Sequence, residues 1–280
     1  MNSYIKVIIE DLKRAFYNNR YRYLLVLVMT TAMILVPTGI ANKVISSHPE
    51  LGLEKMKFID NVFYLLYGAE RIDTSVELAV FDIPLAWMLV QFLCGFVTVD
   101  YVTSDQREIG RDILLRTKSR IRWWLSKCVC IICMTLGVYA VMWAVCAIVA
   151  GINYRIPGEI DPVVLTTVCN IKGGYIYSSA MAAYIMLVPL ICSISITLFQ
   201  MALSQFVTPV IALVAVLSVD IISAFSNSCF LWGNWGMILK SSVALKSGGI
   251  SLPFAISAAI ILAIVGVVAG CIQFNRKDIL

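Results

Sequence analysis

Two groups of residues in the chain are of types and spacings that do chemistry. The first is Asp105, Glu108, Gly110, Arg111, Ile113 and Leu114, in the stretch TSDQREIGRDILLRTKSRIRWWLSK. Asp105 followed three residues on by Glu108 reads as a helix N-cap and its N3 partner, acidic where the helix dipole favours negative charge. Ile109, Ile113 and Leu114 then form a short apolar ridge, which Thr117, Lys118 and Ser119 interrupt. A signal that only fixed topology would need charge alone. A capped start, a ridge and a defined end instead predict a short amphipathic helix that docks a partner. The second is Asp220, alone in the apolar run VLSVDIISAF. A carboxylate near a bilayer centre costs roughly 2.5–3.5 kcal/mol on insertion scales, so it calls for a partner or a wet cavity. It reads either as a substrate-path or gating residue, or as an outer-interface Asp that water solvates or that caps a short helix.

Motifs of catalysis are missing from the sequence. It holds no G-x-x-x-x-G-K-[ST] phosphate loop, no H-E-x-x-H and no G-x-S-x-G, so ATP binding in a phosphate loop, zinc proteolysis and nucleophile-elbow hydrolysis have no sequence support. Cys128, Cys130 and Cys133 form a C-x-C-x-x-C run, but helical spacing does not gather all three on one face. The single histidine, His48, is remote. Packing of small apolar thiols is the better reading. Cys169 and Cys229 fall in segments expected outside, where a disulfide can persist; two unpaired thiols are the simpler expectation.

The elements that must position these residues follow from composition. Of 280 residues, 60% are hydrophobic and 14% charged, against roughly 45–50% and about 25% in soluble domains. That excess is too large for one core and its surface, and it implies an integral membrane protein. The apolar residues come in blocks near the ~20 residues a spanning helix needs. Six are expected: Tyr23–Ala41, Ile83–Val102, Trp124–Ala150, Ser178–Gln200, Val207–Phe225 and Leu252–Phe274. The period-2 pattern of a barrel is absent, so the expected class is all-α, a polytopic membrane protein. The first block follows a polar arm of more than twenty residues and reads as a span, not a cleavable signal.

Lys and Arg set the expected orientation. Lys6, Lys13, Arg14, Arg20 and Arg22 lie before the first span. Arg107, Arg111, Arg116, Lys118, Arg120 and Arg122 lie between the second and third, and Arg276 and Lys277 after the last. Segments of the opposite parity are poorer. The positive-inside rule places both termini in the cytoplasm of a multi-pass cell-membrane protein. The net charge of +5 is thus a topology signal, and nucleic acid is not an expected partner. Lys127, near the cytoplasmic end of the third span, is within reach of the interface by snorkelling.

Ahead of the first span, Ile5, Ile8, Ile9, Leu12 and Phe16 recur at helical spacing, with Lys6, Glu10, Lys13, Arg14 and Tyr17 away from them. This predicts an interfacial helix on membrane lipid. Outside, Asn42–Glu77 is expected to hold one or two amphipathic helices on the outer surface. Ser226–Gly249, with FLWGNWGMIL, is too short and interrupted to span. Gly266-x-x-x-Gly270 in the last span allows close helix approach, either within the chain or to another subunit.

Glu108, Gly110, Leu114, Leu115, Ser119, Arg120 and Lys127 stand in a pattern that resembles the first cytoplasmic loop of type-2 permeases of ATP-binding cassette (ABC) transporters. The tail Phe274, Arg276, Lys277, Asp278 and Ile279 is similar to that family's closing aromatic–basic–basic–Asp–aliphatic motif. Thr117 stands where the family usually has Pro. The resemblance implies one permease domain over 1–280, with six spans, a cytoplasmic coupling helix between spans two and three, and a re-entrant or interfacial helix over Ser226–Gly249 before the last span, where an ordinary aromatic belt is the plainer reading. It implies an exporter of an amphipathic or hydrophobic substrate, such as a peptide antibiotic, lipid or drug. Two copies of a separate ATPase subunit would bind ATP and Mg, leaving this chain no enzyme and no cofactor. Two permease copies, or this one and a homologous partner, would form the pathway. The rival readings are an ion-coupled secondary carrier and a non-transporting immunity or scaffold protein.

Overall fold

The computed structural model describes residues 2–49, 55–71, 83–107, 119–152, 160, 166, 171, 179–245 and 248–276. Within them the chain is helical, with no strand beyond an isolated bridge between Ser241 and Ile250. The helices are α1 (Asn2–Asn18), α2 (Arg20–Ser47), α3 (Phe58–Leu66), α4 (Leu85–Thr98), α5 (Tyr101–Arg107), α6 (Arg120–Ile152), α7 (Ser179–Leu203), α8 (Pro209–Ala224), α9 (Trp232–Gly236) and α10 (Leu252–Arg276).

Among the described residues, five stretches are long and apolar enough to cross a membrane: α2, α4 with α5 over Leu85–Gln106, α6, the Met181–Leu203 part of α7, and α10. The protein is therefore a helical membrane protein. Its outward surface agrees. Leu24, Leu25, Leu27, Val28, Leu35, Val36 and Ile40 on α2, and Ile260, Ile261, Ile264, Val265 and Val268 on α10, are exposed. Ridges of that kind suit lipid and not water. The remaining expected span, Val207–Phe225, is the 16-residue α8. At 1.5 Å per residue it is about 24 Å long. Turns over Ser204–Phe206 and Pro209 at its first turn delay its start.

Helices α4, α6 and α7 form the interior. Polar side chains join them where no water competes. Tyr139 on α6 and Ser193 on α7 share a hydrogen bond of 2.9 Å, and the Ser193 hydroxyl donates to Gln91 Oε1 on α4 at 3.0 Å. Gln200 Nε2 on α7 donates to the Gly95 carbonyl of α4 at 3.1 Å. The small residues of α10 serve packing within the chain. A Cβ on Gly266 would press on the Phe199 backbone of α7 at 3.0 Å, and one on Gly270 would overlap the Trp124 ring of α6. Trp124 Nε1 then donates to Val267 O at 2.9 Å.

The helix α3, from the segment expected on the outer surface, lies inside the bundle instead, and part of the segment expected to be re-entrant or interfacial is buried beside it. In α3, Ile59, Asp60, Asn61, Val62, Phe63, Leu65 and Leu66 are all buried. Its apolar residues favour one side, but Asp60 and Asn61 on the other are buried as well, so neighbouring segments cover it all round. From Gly233 to Ser241 the chain is buried too, through α9 and a 3-10 turn at Ile238–Lys240. The two segments touch: Leu239 N donates to Tyr67 O at 3.0 Å.

Candidate functional site

The end of the bundle reached by α1, α5 and the start of α6 holds a buried cluster of charge. Lys127 is fully buried. Its Nζ lies 2.9 Å from Asp11 Oδ2 and 2.8 Å from Asp105 Oδ2. Asp11, 1% exposed, also accepts from Ser126 Oγ at 2.8 Å and pairs with Arg14 at 3.2 Å. The ammonium stands over the rings of Tyr101 and Trp123, at 5.4 and 5.1 Å from their centroids. A lone buried ammonium is prohibitive. Two carboxylates and two aromatic faces make this one tolerable.

A second pair stands beside it. Arg22, in the first turn of α2, forks onto Asp100 at 2.6 and 2.7 Å, and its Nη1 reaches the Phe96 and Val97 carbonyls at 3.4 and 3.3 Å. It thus covers carbonyls left open at the C-terminal end of α4 while neutralising an acid between α4 and α5. Phe274, near the end of α10, stacks on Trp123 at 4.7 Å, and Arg120 donates to Asn275 O at 2.9 Å. Five elements (α1, α2, the α4–α5 pair, α6 and α10) are therefore tied together at one end.

The other end of α4 faces a different arrangement. Lys240 is 4% exposed. Its Nζ donates to the carbonyls of Ser223 (2.8 Å), Ala224 (3.2 Å) and Ser226 (2.8 Å) and to Asn234 Oδ1 (3.0 Å). It caps the C-terminus of α8, where the helix dipole favours a cation. Burial pushes this ammonium down to about 8. One turn earlier in α8, Asp220 is 2% exposed, and among the described residues neither of its oxygens has a hydrogen-bond partner. Trp232 stands beside it, and its indole N–H is likewise buried without one.

Of the residues singled out in the sequence, Asp105 belongs to the cluster, but not as an N-cap. It lies inside α5, and its side chain turns to Lys127. Lys127 does not snorkel; the two acids hold it inside. Glu108, Gly110, Arg111, Ile113 and Leu114 lie outside the described residues, as do Leu115, Thr117, Cys169, Lys277, Asp278 and Ile279. Asp220 is buried within the chain, 2% exposed. Cys229 is exposed. Among the described residues, no group of three His, Cys, Asp or Glu is placed to hold a metal ion. Sequence reasoning missed Asp11, Ser126 and the Arg22–Asp100 pair. One signal for Asp11 was present: an acid spaced with Ile8 and Ala15 on the face that α1 turns inward.

No curated protein and no solved structure matches the chain. The family model described as a protein of unknown function, DUF2705, matches residues 42–280, and the chain belongs to that family.

Proposed function

We propose that the chain is the membrane-spanning permease subunit of an ABC exporter, powered by a separate ATPase that binds ATP and Mg. On this reading α8 is the fifth of six spans, its ~24 Å reached by local thinning of the bilayer. Both termini are then cytoplasmic. Segment 108–118 is the coupling element, docked on the ATPase through Glu108, Gly110, Arg111, Ile113 and Leu114. Two permeases, this one with a second copy or a homologue, enclose the pathway for an amphipathic or hydrophobic substrate.

The observation that carries the proposal is the Asp11–Lys127–Asp105 cluster. Asp105 precedes segment 108–118 and Lys127 follows it, and the ion pair clamps the two flanks together at 2.8 Å. Asp11 fastens the same clamp to α1. A push on the segment therefore reaches α1, α4–α5 and α6 as one body. Switching between two packings of the spans needs such a connection.

The test is purification of the whole protein in mild detergent, followed by identification of the protein that elutes with it. A stoichiometric ATPase with a phosphate loop is expected, and its absence overturns the proposal. In vesicles reconstituted with that ATPase, Glu108→Lys and Gly110→Trp should lower substrate-stimulated ATP hydrolysis and transport together.

A further inference from the structure

Where α1 meets α2, beside the charge cluster, the surface opens into a cleft of about 450 Å³. Arg14, Arg20 and Arg22 line it with Tyr17, Tyr21 and Ser104. Asp100 and Asp105 also face it, but each is already matched, Asp100 by Arg22 and Asp105 by Lys127 behind the wall. Arg14 is matched by Asp11. Arg20 is the cation of this group that forms no ion pair among the described residues. Its guanidinium is held over the rings of Tyr17 and Tyr21, 4.5 and 4.9 Å from their centroids, and Nη2 donates to the Tyr21 hydroxyl at 3.3 Å. The cleft therefore carries one surplus, pre-positioned positive charge with hydroxyl donors around it.

Its surroundings are apolar. On the α1 side Ile5, Ile9, Phe16 and Tyr17 are exposed, and on the α2 side Tyr21, Leu24, Leu25 and Val28 are. One arm has the amphipathic pattern of a helix lying on a membrane, and the other is a spanning helix that starts at the elbow. The junction of such a pair lies at headgroup depth, where Tyr and Arg are favoured. A ligand here meets acyl chains outside the cleft and a cation with hydroxyls within it.

We propose that this cleft binds the phosphate headgroup of an anionic phospholipid, with Arg20 as its principal contact. Planar guanidinium groups donate in pairs to phosphate oxygens, and the tyrosine hydroxyls and Ser104 suit the remaining headgroup oxygens. Because Asp100 and Asp105 form the opposite wall, an occupied cleft braces the ion pairs of the cluster. This holds whatever the protein transports.

The test uses the full chain in mild detergent, with bound lipid counted by native mass spectrometry. Phosphatidylglycerol and phosphatidylcholine are titrated separately, and glycerol phosphate without acyl chains is added as a competitor. Phosphatidylglycerol should be retained in preference, as one tightly held molecule. Arg20→Ala should weaken retention about fivefold, as expected for one basic residue at a membrane surface. Ser104→Glu, which adds an anion to the rim, should do at least as much. Both positions are exposed, so neither change threatens folding, and an unshifted melting temperature checks that. Equal retention of the two lipids, or unchanged retention in either variant, overturns the proposal. Competition by glycerol phosphate at the lipid's own concentration overturns it too, by assigning the cleft to a soluble phosphate ester.

Discussion

Lys127 and Lys240 are both buried ammonium groups, set at opposite ends of α4, and their partners differ in kind. Lys127 meets two carboxylates, Asp11 and Asp105, on two other helices. Lys240 meets three backbone carbonyls and one amide oxygen, all within Ser223–Asn234. The first arrangement joins elements far apart in the chain, so a displacement of one is felt by the others. The second is local: it pins the segment through α9 to the end of α8 and holds a cap over that end of the bundle. Full charges arranged across helices couple separate elements, and dipoles arranged within one segment fix that segment alone.

Breaking the first arrangement should have the largest effect. Lys127→Met leaves Asp105 without its cation and Asp11, buried, with only the longer pair to Arg14. Removing one partner of a buried pair typically costs about 3–5 kcal/mol. Denaturant unfolding in detergent should show a loss of that order, and adding Asp11→Asn should recover part of it. A loss under about 1 kcal/mol would mean that the cluster does not hold these helices together.

Lys240→Met comes next. It strips the donor from four acceptors, none of which carries a full charge, so the loss should be about 1–3 kcal/mol. The pH dependence sharpens the contrast. Burial lowers this ammonium from 10.5 to about 8. Between those values the unfolded chain holds the proton that the folded chain has released. The contribution of Lys240 to stability therefore rises with pH across that window, and the burial penalty is fully present below about 8. Melting temperatures from pH 7 to 10 should rise more steeply in the parent than in Lys240→Met. Identical slopes would place Lys240 in water.

Five of the six expected spans were legible, because a run of apolar residues of crossing length has few other uses. The bounds of α10 differ from the expected ones only at its C-terminal end. The interior position of α3 was not legible. An apolar segment too short to span reads alike on a surface and in a bundle, and only the packing of distant helices decides. The ion-pair cluster was half legible. Lys127 and Asp105 stood out as charges near a span, but their pairing depends on α1 folding back on α6. That fold rests on Asp11, which in sequence looks like one more charge in a polar arm. The N-cap reading of Asp105 failed for the same reason: local spacing suggested a role that a tertiary ion pair overrode.

The smallest stability effect is expected at Asp220, and there the comparison has most to teach about function. Its two oxygens have no hydrogen-bond partner among the described residues. Asp220→Asn removes no ion pair seen there, the Trp232 indole beside it can donate to an amide oxygen as it would to the acid, and a neutral amide is easier to bury than a carboxylate. The unfolding free energy should stay within about 1 kcal/mol of the parent, or rise. The same change at Asp11 leaves Lys127 with one acid instead of two and should cost clearly more. If Asp220 lies on the substrate path, Asp220→Asn will lower transport in vesicles while leaving stability and binding of the ATPase intact. A loss of stability as large as that of Asp11→Asn would show that Asp220 has a structural partner of its own, and would remove the reason to place it on a path.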